Sequence, residues 1–205
     1  MKLKWNLSAA AAAFGMNPRE YWSAINGNSL SKISEHTIAQ QVGGEVTSSQ
    51  EEYDVITPST HWASNIEVRN CFKKSSFAPS TSTGKGRFFE ESAFQEKLEV
   101  CDSYVFIDLN PVRNLQPPVA YEIPTSLVKE LYEMGALGAK AHIDFASRKQ
   151  YNKGWNKKPM MRFEELFPYK QFRFRPGCSI PPQYNAQDIY EAAIERINLK
   201  RNKKK

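Results

Sequence analysis

Alternating strands, one long apolar run and a helix between them predict an α/β protein, with a central mixed β-sheet flanked by helices. Tyr104-Val105-Phe106-Ile107-Asp108-Leu109 is almost continuously apolar, as expected of a strand buried on both faces. Tyr53 to Pro58 and Asn65 to Asn70 alternate instead, which suits two strands with one face toward a core. Between the second of these and the apolar run, Phe89, Ala93, Phe94, Lys97 and Leu98 recur at helical spacing. A strand, crossover helix and strand of this kind imply a sheet covered by helices.

Taken in order, residues 7 to 14 predict a short Ala-rich helix, and Pro18 opens a second one reaching about Ile25, since its fixed φ suits a first helical turn. Together they read as a cap or dimer arm. Asn26-Gly27-Asn28-Ser29 is expected to be a turn, with Ser29 or Ser31 capping a helix from about Lys32 to Val42. The apolar set of that helix, Ile33, Ile38, Ala39 and Val42, points Glu35 elsewhere. Gly43-Gly44 ends it and Glu45-Val46-Thr47 starts the sheet. Ser59 to Ser64 joins the two alternating strands and carries His61, a candidate proton donor or a solvated side chain. Ser75 to Arg87 is rich in Ser, Thr and Gly and reads as a long connection, mobile without a partner. Phe88 to Val100 is the crossover helix. Val119 to Ile123 is a further strand, Ser126 to Met134 a helix opened by a serine or threonine cap, and Gln187 to Leu199 a last amphipathic helix with Ile189, Ala193, Ile194 and Ile197. The tail, Lys200 to Lys205, is basic and adds non-specific attraction for phosphate.

Chemistry concentrates on the two alternating strands. Asp54 lies on the first, and Glu67 and Arg69 share one face of the second. Two carboxylates and a cation thereby meet at one point, an arrangement suited to holding a hard cation such as Mg²⁺ through oxygen while a positive side chain steadies charge on a phosphate. With the helix, Gly-Gly turn, strand and hairpin of Leu30 to Asn70, these residues resemble the catalytic core of the PD-(D/E)xK nuclease superfamily, and type II restriction endonucleases in particular. Over residues 30 to 125, the resemblance implies a restriction-endonuclease-like core, Asp54 as the first acid, Glu67 as the second, and Arg69 in place of the final lysine. It also implies Glu35 as an additional metal ligand, Mg²⁺ as cofactor, double-stranded DNA as substrate and a homodimer that addresses both strands. The departures are Arg for Lys at the last position and Tyr53 for the usual proline. An arginine keeps its proton, so Arg69 supplies charge and not a base. Lys73 or Lys74 is the alternative source of an ammonium.

Composition fits a nucleic-acid partner. At 205 residues the chain suits one nuclease domain: a helical extension over 1 to 29, the catalytic core, a basic aromatic region over 140 to 175 and the basic tail. The net charge is +6, but ten Lys/Arg face three Asp/Glu between Lys140 and Arg175, interleaved with aromatics, as a polyanion with flat bases requires. Arg148, Lys149, Gln150, Asn152, Lys153, Asn156, Lys157 and Lys158 are the expected groove readers and phosphate contacts, with Lys73, Lys74, Lys85 and Arg87 as further contacts. Three cysteines and three histidines without zinc spacing suggest neither a disulfide framework nor structural zinc, and free thiols fit a reducing cytoplasm. The apolar run near the N-terminus is too short and too broken for a signal peptide, and no segment is long enough to span a bilayer. No P-loop, GxGxxG or GxSxG element supports nucleotide or serine-hydrolase chemistry. Within the nuclease reading, a structure-selective repair or recombination enzyme is the alternative to a sequence-reading one. Outside it stands a binding module without catalysis.

Overall fold

A computed structural model describes residues 1–3, 5–25, 27–48, 52–71, 80–83, 86–89, 91–134, 142–143, 150–151 and 166–202. Three helices open the chain, α1 (Leu7–Ala13), α2 (Pro18–Ala24) and α3 (Gly27–Val42). Strands β1 (Glu45–Val46), β2 (Val55–Ile56) and β3 (Asn65–Cys71) follow, then β4 (Ser80–Thr83), β5 (Gly86–Phe89) and helix α4 (Glu91–Val100). The remaining elements are β6 (Ser103–Asp108), β7 (Val119–Pro124), α5 (Thr125–Glu133), β8 (His142–Ile143), β9 (Gln150–Tyr151) and α6 (Ala186–Asn202). Among the described residues the main sheet has five strands in the order β1-β2-β3-β6-β7. It is mixed. β3 and β6 run parallel, with Glu67 opposite Tyr104 and Arg69 opposite Phe106, while the other pairings are antiparallel.

The parallel step forces the crossover through α4, because two parallel neighbours cannot be joined by a tight turn. Strand β6 is central and buried on both faces, as its apolar run predicts. One face packs Tyr104, Phe106 and Ile123 against Leu98 of α4, Leu127, Val128 and Leu131 of α5, and Ile189 and Ala193 of α6. The other packs Ile66, Val68, Val105 and Ile107 against Leu30, Ile38, Ala39 and Val42 of α3, with Leu3 and Phe174 beside them. Helices thus cover both faces of a mixed sheet. No helix among the described residues is long and apolar enough to cross a membrane.

Local chemistry moves several boundaries. Helix α2 begins as expected at Pro18, where the Asn17 side chain accepts from the Arg19 and Glu20 amides and Glu20 returns a bond to the Asn17 N–H, a complete capping box. Helix α3 starts at Gly27, so the expected turn at 26 to 29 is largely its first turn, and Ser29 and Ser31 lie inside the helix instead of capping it. Its buried stripe is Leu30, Ser34, Glu35, Ile38, Ala39 and Val42, whereas Ile33 is exposed. Gly43, at φ +71°, ends the helix, and the Gly44 N–H closes it on the Ala39 carbonyl at 2.9 Å. The Ser/Thr/Gly stretch expected to be a connection pairs Ser80–Thr83 with Gly86–Phe89 as an antiparallel hairpin, so the crossover helix begins at Glu91 and not at Phe88. Threonine suits a pleated strand well enough to override a loop-like composition. Helix α5 starts behind Pro124 without a side-chain cap, since the fixed φ of the proline sets the entry that a serine or threonine was expected to supply.

His61 is buried and is not a solvated loop residue. Its Nε2 lies 2.9 Å from Glu122 Oε1, and the Ser103 hydroxyl donates to the same oxygen at 3.0 Å. The ring meets Phe174 edge-on, with centroids 6.1 Å apart. This cluster ties the loop between β2 and β3 to the edge strand β7. Replacing His61 by Leu leaves Glu122 buried without its ring partner and should cost about 3–5 kcal/mol in denaturant unfolding. A loss under ~1 kcal/mol would mean that the pair contributes little to holding the loop.

Candidate active site

Strand β2 is only two residues long, and Asp54 stands just before it. The Asp54 N–H donates to the Ile66 carbonyl at 3.0 Å and its carboxylate Oδ2 accepts the Val68 N–H at 2.8 Å. These bonds clasp Asp54 to β3 at the level of Glu67. Glu67 and Arg69 are on the α4 side of the sheet, as strand alternation requires. Glu67 is 3% exposed, and both of its oxygens are held. Arg69 Nη2 lies 2.8 Å from Oε1, and Lys97 Nζ lies 2.6 Å from Oε2. The same ammonium donates to the Glu52 carbonyl at 2.7 Å.

Glu35 enters from the opposite layer. It is 5% exposed and pairs with Lys32 one turn earlier at 2.6 Å, so it is not the outward-facing residue that the apolar spacing suggests. Its charge reaches Asp54. Burial first, and then the Glu67 and Glu35 charges, push the Asp54 carboxyl up to about 7, partly offset by the Val68 N–H and Arg69. Asp54, just before β2, therefore feels the charge of an acid on each side, Glu67 on β3 and Glu35 on α3. Because β1 and β2 are so short, the sheet at this edge does not insulate one helical layer from the other.

Burial keeps two neighbouring groups, Cys101 and Tyr104, protonated. Cys101 is buried beneath the acids, and burial followed by the Glu67 charge pushes its thiol up to about 12, so it is not a thiolate nucleophile. Burial likewise raises the Tyr104 phenol. The Tyr104 hydroxyl and Arg69 Nε are both buried, without a hydrogen-bond partner among the described residues.

The donor set at this point is hard. Asp54 and Glu67 offer carboxylate oxygens, the kind of set with which Mg²⁺ is held by one or two acids and several waters. Among the described residues, no group of three or more His, Cys, Asp or Glu side chains is placed to hold a metal ion. A pair of carboxylates is a donor set of the oxygen kind that Mg²⁺ takes, without the histidines or thiolates of a zinc site.

Sequence reasoning named Asp54, Glu67, Arg69 and Glu35 as site residues, and the structure sets Asp54 beside Glu67 and Arg69, with the Glu35 charge acting on Asp54 from α3. Sequence reasoning missed Lys97, although a lysine within the apolar stripe of an otherwise polar helix was the available signal. His61 is on the other side of the sheet, bonded to Glu122, and does not reach the acids. Lys73, Lys74, Lys85, Arg148, Lys149, Asn152, Lys153, Asn156, Lys157 and Lys158 lie outside the described residues. Arg87 and Gln150 belong to β5 and β9, where only the backbone is described. Comparison with family models, curated proteins and solved structures returns no match to this chain.

Proposed function

We propose that the chain is a Mg²⁺-dependent endonuclease acting on double-stranded DNA, in the manner of type II restriction enzymes. The observation that carries this reading is the clasp of Asp54 to β3 beside Glu67, with Arg69 on the same carboxylate and Glu35 behind. The order α3, β1, β2, β3, α4, β6, with β6 parallel to β3, supports it, because a helix, an acid-bearing hairpin and a crossover helix are what the resemblance to PD-(D/E)xK nucleases implies.

Asp54 and Glu67 would hold the cation, which would polarise the phosphodiester and lower the cost of the negative charge that builds on its oxygens. Arg69, whose side chain is 27% exposed, would place its positive charge beside the attacked phosphate and stabilise the charge that develops there. It keeps its own proton throughout. DNA affinity comes from the basic aromatic region, a homodimer brings a second site to the second strand, and the site is that of a reducing cytoplasm.

Incubating supercoiled plasmid with the protein and Mg²⁺, with EDTA as control, tests the reading. Discrete fragments from long DNA are expected. Cleavage confined to branched substrates would assign the fold to repair or recombination, and DNA binding without any cleavage would leave a binding module. Arg69→Ala should lose ~3–4 kcal/mol of transition-state stabilisation in the cleavage rate, while Arg69→Lys keeps measurable activity. Equal rates for wild type and Arg69→Ala would remove Arg69 from the chemistry.

A further inference from the structure

Lys97 reaches the Asp54–Glu67 pair from a different segment of the chain, and the nuclease reading does not require it. Its side chain is 16% exposed, on the last turns of α4, and its ammonium makes two contacts at once. One is to Glu67 Oε2 on β3 at 2.6 Å, and the other to the Glu52 carbonyl at 2.7 Å, two residues before Asp54. A single side chain from the crossover helix thus spans the two segments that carry the acids. Arg69 cannot do this, because it is fixed to the same strand as Glu67 and meets only Oε1 of that carboxylate.

We propose that Lys97 is a positioning residue that sets the separation and orientation of Asp54 and Glu67 for the divalent cation; this rests on the metal-dependent reading above. Three physical steps lead to it. A carboxylate 3% exposed needs compensating charge, and one guanidinium contact leaves its second oxygen bare. An ammonium has three donors, so bonding to Glu67 does not prevent a bond to a backbone carbonyl. The Glu52 carbonyl belongs to the stretch that delivers Asp54, so withdrawing the ammonium frees Glu67 to leave its rotamer and the Glu52–Asp54 stretch to move away from β3. Metal ligands held loosely bind weakly, because the cation must then order them itself. The ammonium sought at Lys73 or Lys74 from the sequence is present here, on α4, in a positioning role.

The test is calorimetric titration of Mn²⁺ into the full-length wild type and into Lys97→Met, Lys97→Gln and Lys97→Arg, with thermal melts establishing that each variant is folded at the titration temperature. Lys97→Met should weaken Mn²⁺ binding about tenfold or more, as loss of a ligand-orienting partner does. Lys97→Arg, which keeps charge and donors, should recover most of the affinity. Lys97→Gln, which keeps a donor for the Glu52 carbonyl without the charge, should fall between them and replaces Lys97→Met if that variant does not fold. Unchanged binding in the neutral variants overturns the proposal, and so does tighter binding, which would make Lys97 a competitor of the cation. Asp54→Ala and Glu67→Ala are run alongside. If these bind Mn²⁺ like the wild type, or the wild type binds none, the metal reading itself has failed, which is a different result from Lys97 variants alone behaving normally.

Discussion

Asp54→Asn should raise the melting temperature of the metal-free protein at pH 8 by ~4–8 °C while lowering metal-dependent cleavage at least ~10³-fold. The stabilisation follows from the position of Asp54 on the edge of β2. Its carboxyl titrates near 7 in the fold against 3.8 when unperturbed, chiefly because it is buried and secondarily because Glu67 is beside it. Between those values the folded protein holds a proton that the unfolded chain has released, so stability declines as pH rises from about 4 to about 7. The full penalty of about 4 kcal/mol is reached above that window, and solvent access to the partly exposed side chain reduces it to ~2 kcal/mol. Asparagine can still accept the Val68 N–H through its carbonyl oxygen, so the clasp survives while the charge does not. Melts of the two proteins in EDTA over a pH series should coincide near pH 4 and diverge toward pH 8. Parallel curves would show that Asp54 is not the strained acid of this site.

Gly44→Ala should destabilise the protein by about 3 kcal/mol and loosen the acid pair with it. A Cβ built on Gly44 falls 2.1 Å from the Ile56 carbonyl oxygen, a backbone atom of β2 that cannot rotate away as a side chain would. Either β1 separates from β2 or the segment carrying Asp54 shifts. Gly43→Ala, one residue earlier, meets open space but must adopt φ +71°, and should cost only ~1 kcal/mol. Chemical denaturation of both variants, with Mn²⁺ titration of each, checks the contrast. Equal losses at the two positions would remove the close approach as the cause.

How much of this was legible in the sequence depended on the kind of signal. The alternation around Asp54 and Glu67 and the apolar run of β6 are periodic and could be read directly. Glu35 could not be placed, because hydrophobic periodicity counts only apolar members of a buried stripe, and the stripe of α3 includes Ser34 and Glu35 while leaving Ile33 at the surface. Ser34 is accommodated by a hydrogen bond to Asn70 at 2.6 Å and Glu35 by Lys32, partners that only the folded geometry supplies. Lys97 fell on the inward spacing of its helix, yet a long side chain there reads as packing of an apolar stem until a buried carboxylate is seen at its tip. The β4–β5 hairpin was obscured by its Ser, Thr and Gly content, and the start of α5 by a proline acting where a hydroxyl cap was expected.

The crossover between Cys71 and Ser103 has a kinetic meaning as well as a topological one. The hairpin of β2 and β3 closes a short loop and can form early, but β6 can take its place beside β3 only after the intervening chain has been gathered and α4 laid down. Until then Glu67 has Arg69 alone, and the Glu52 carbonyl has no ammonium to join it to β3. The acid pair is therefore a late product of folding. Residue-by-residue analysis of the refolding transition state should find Ile66 and Val55 substantially structured while Leu98 and Lys97 remain near their denatured environment. A fragment ending before α4 would carry both acids of the site without ever acquiring its geometry.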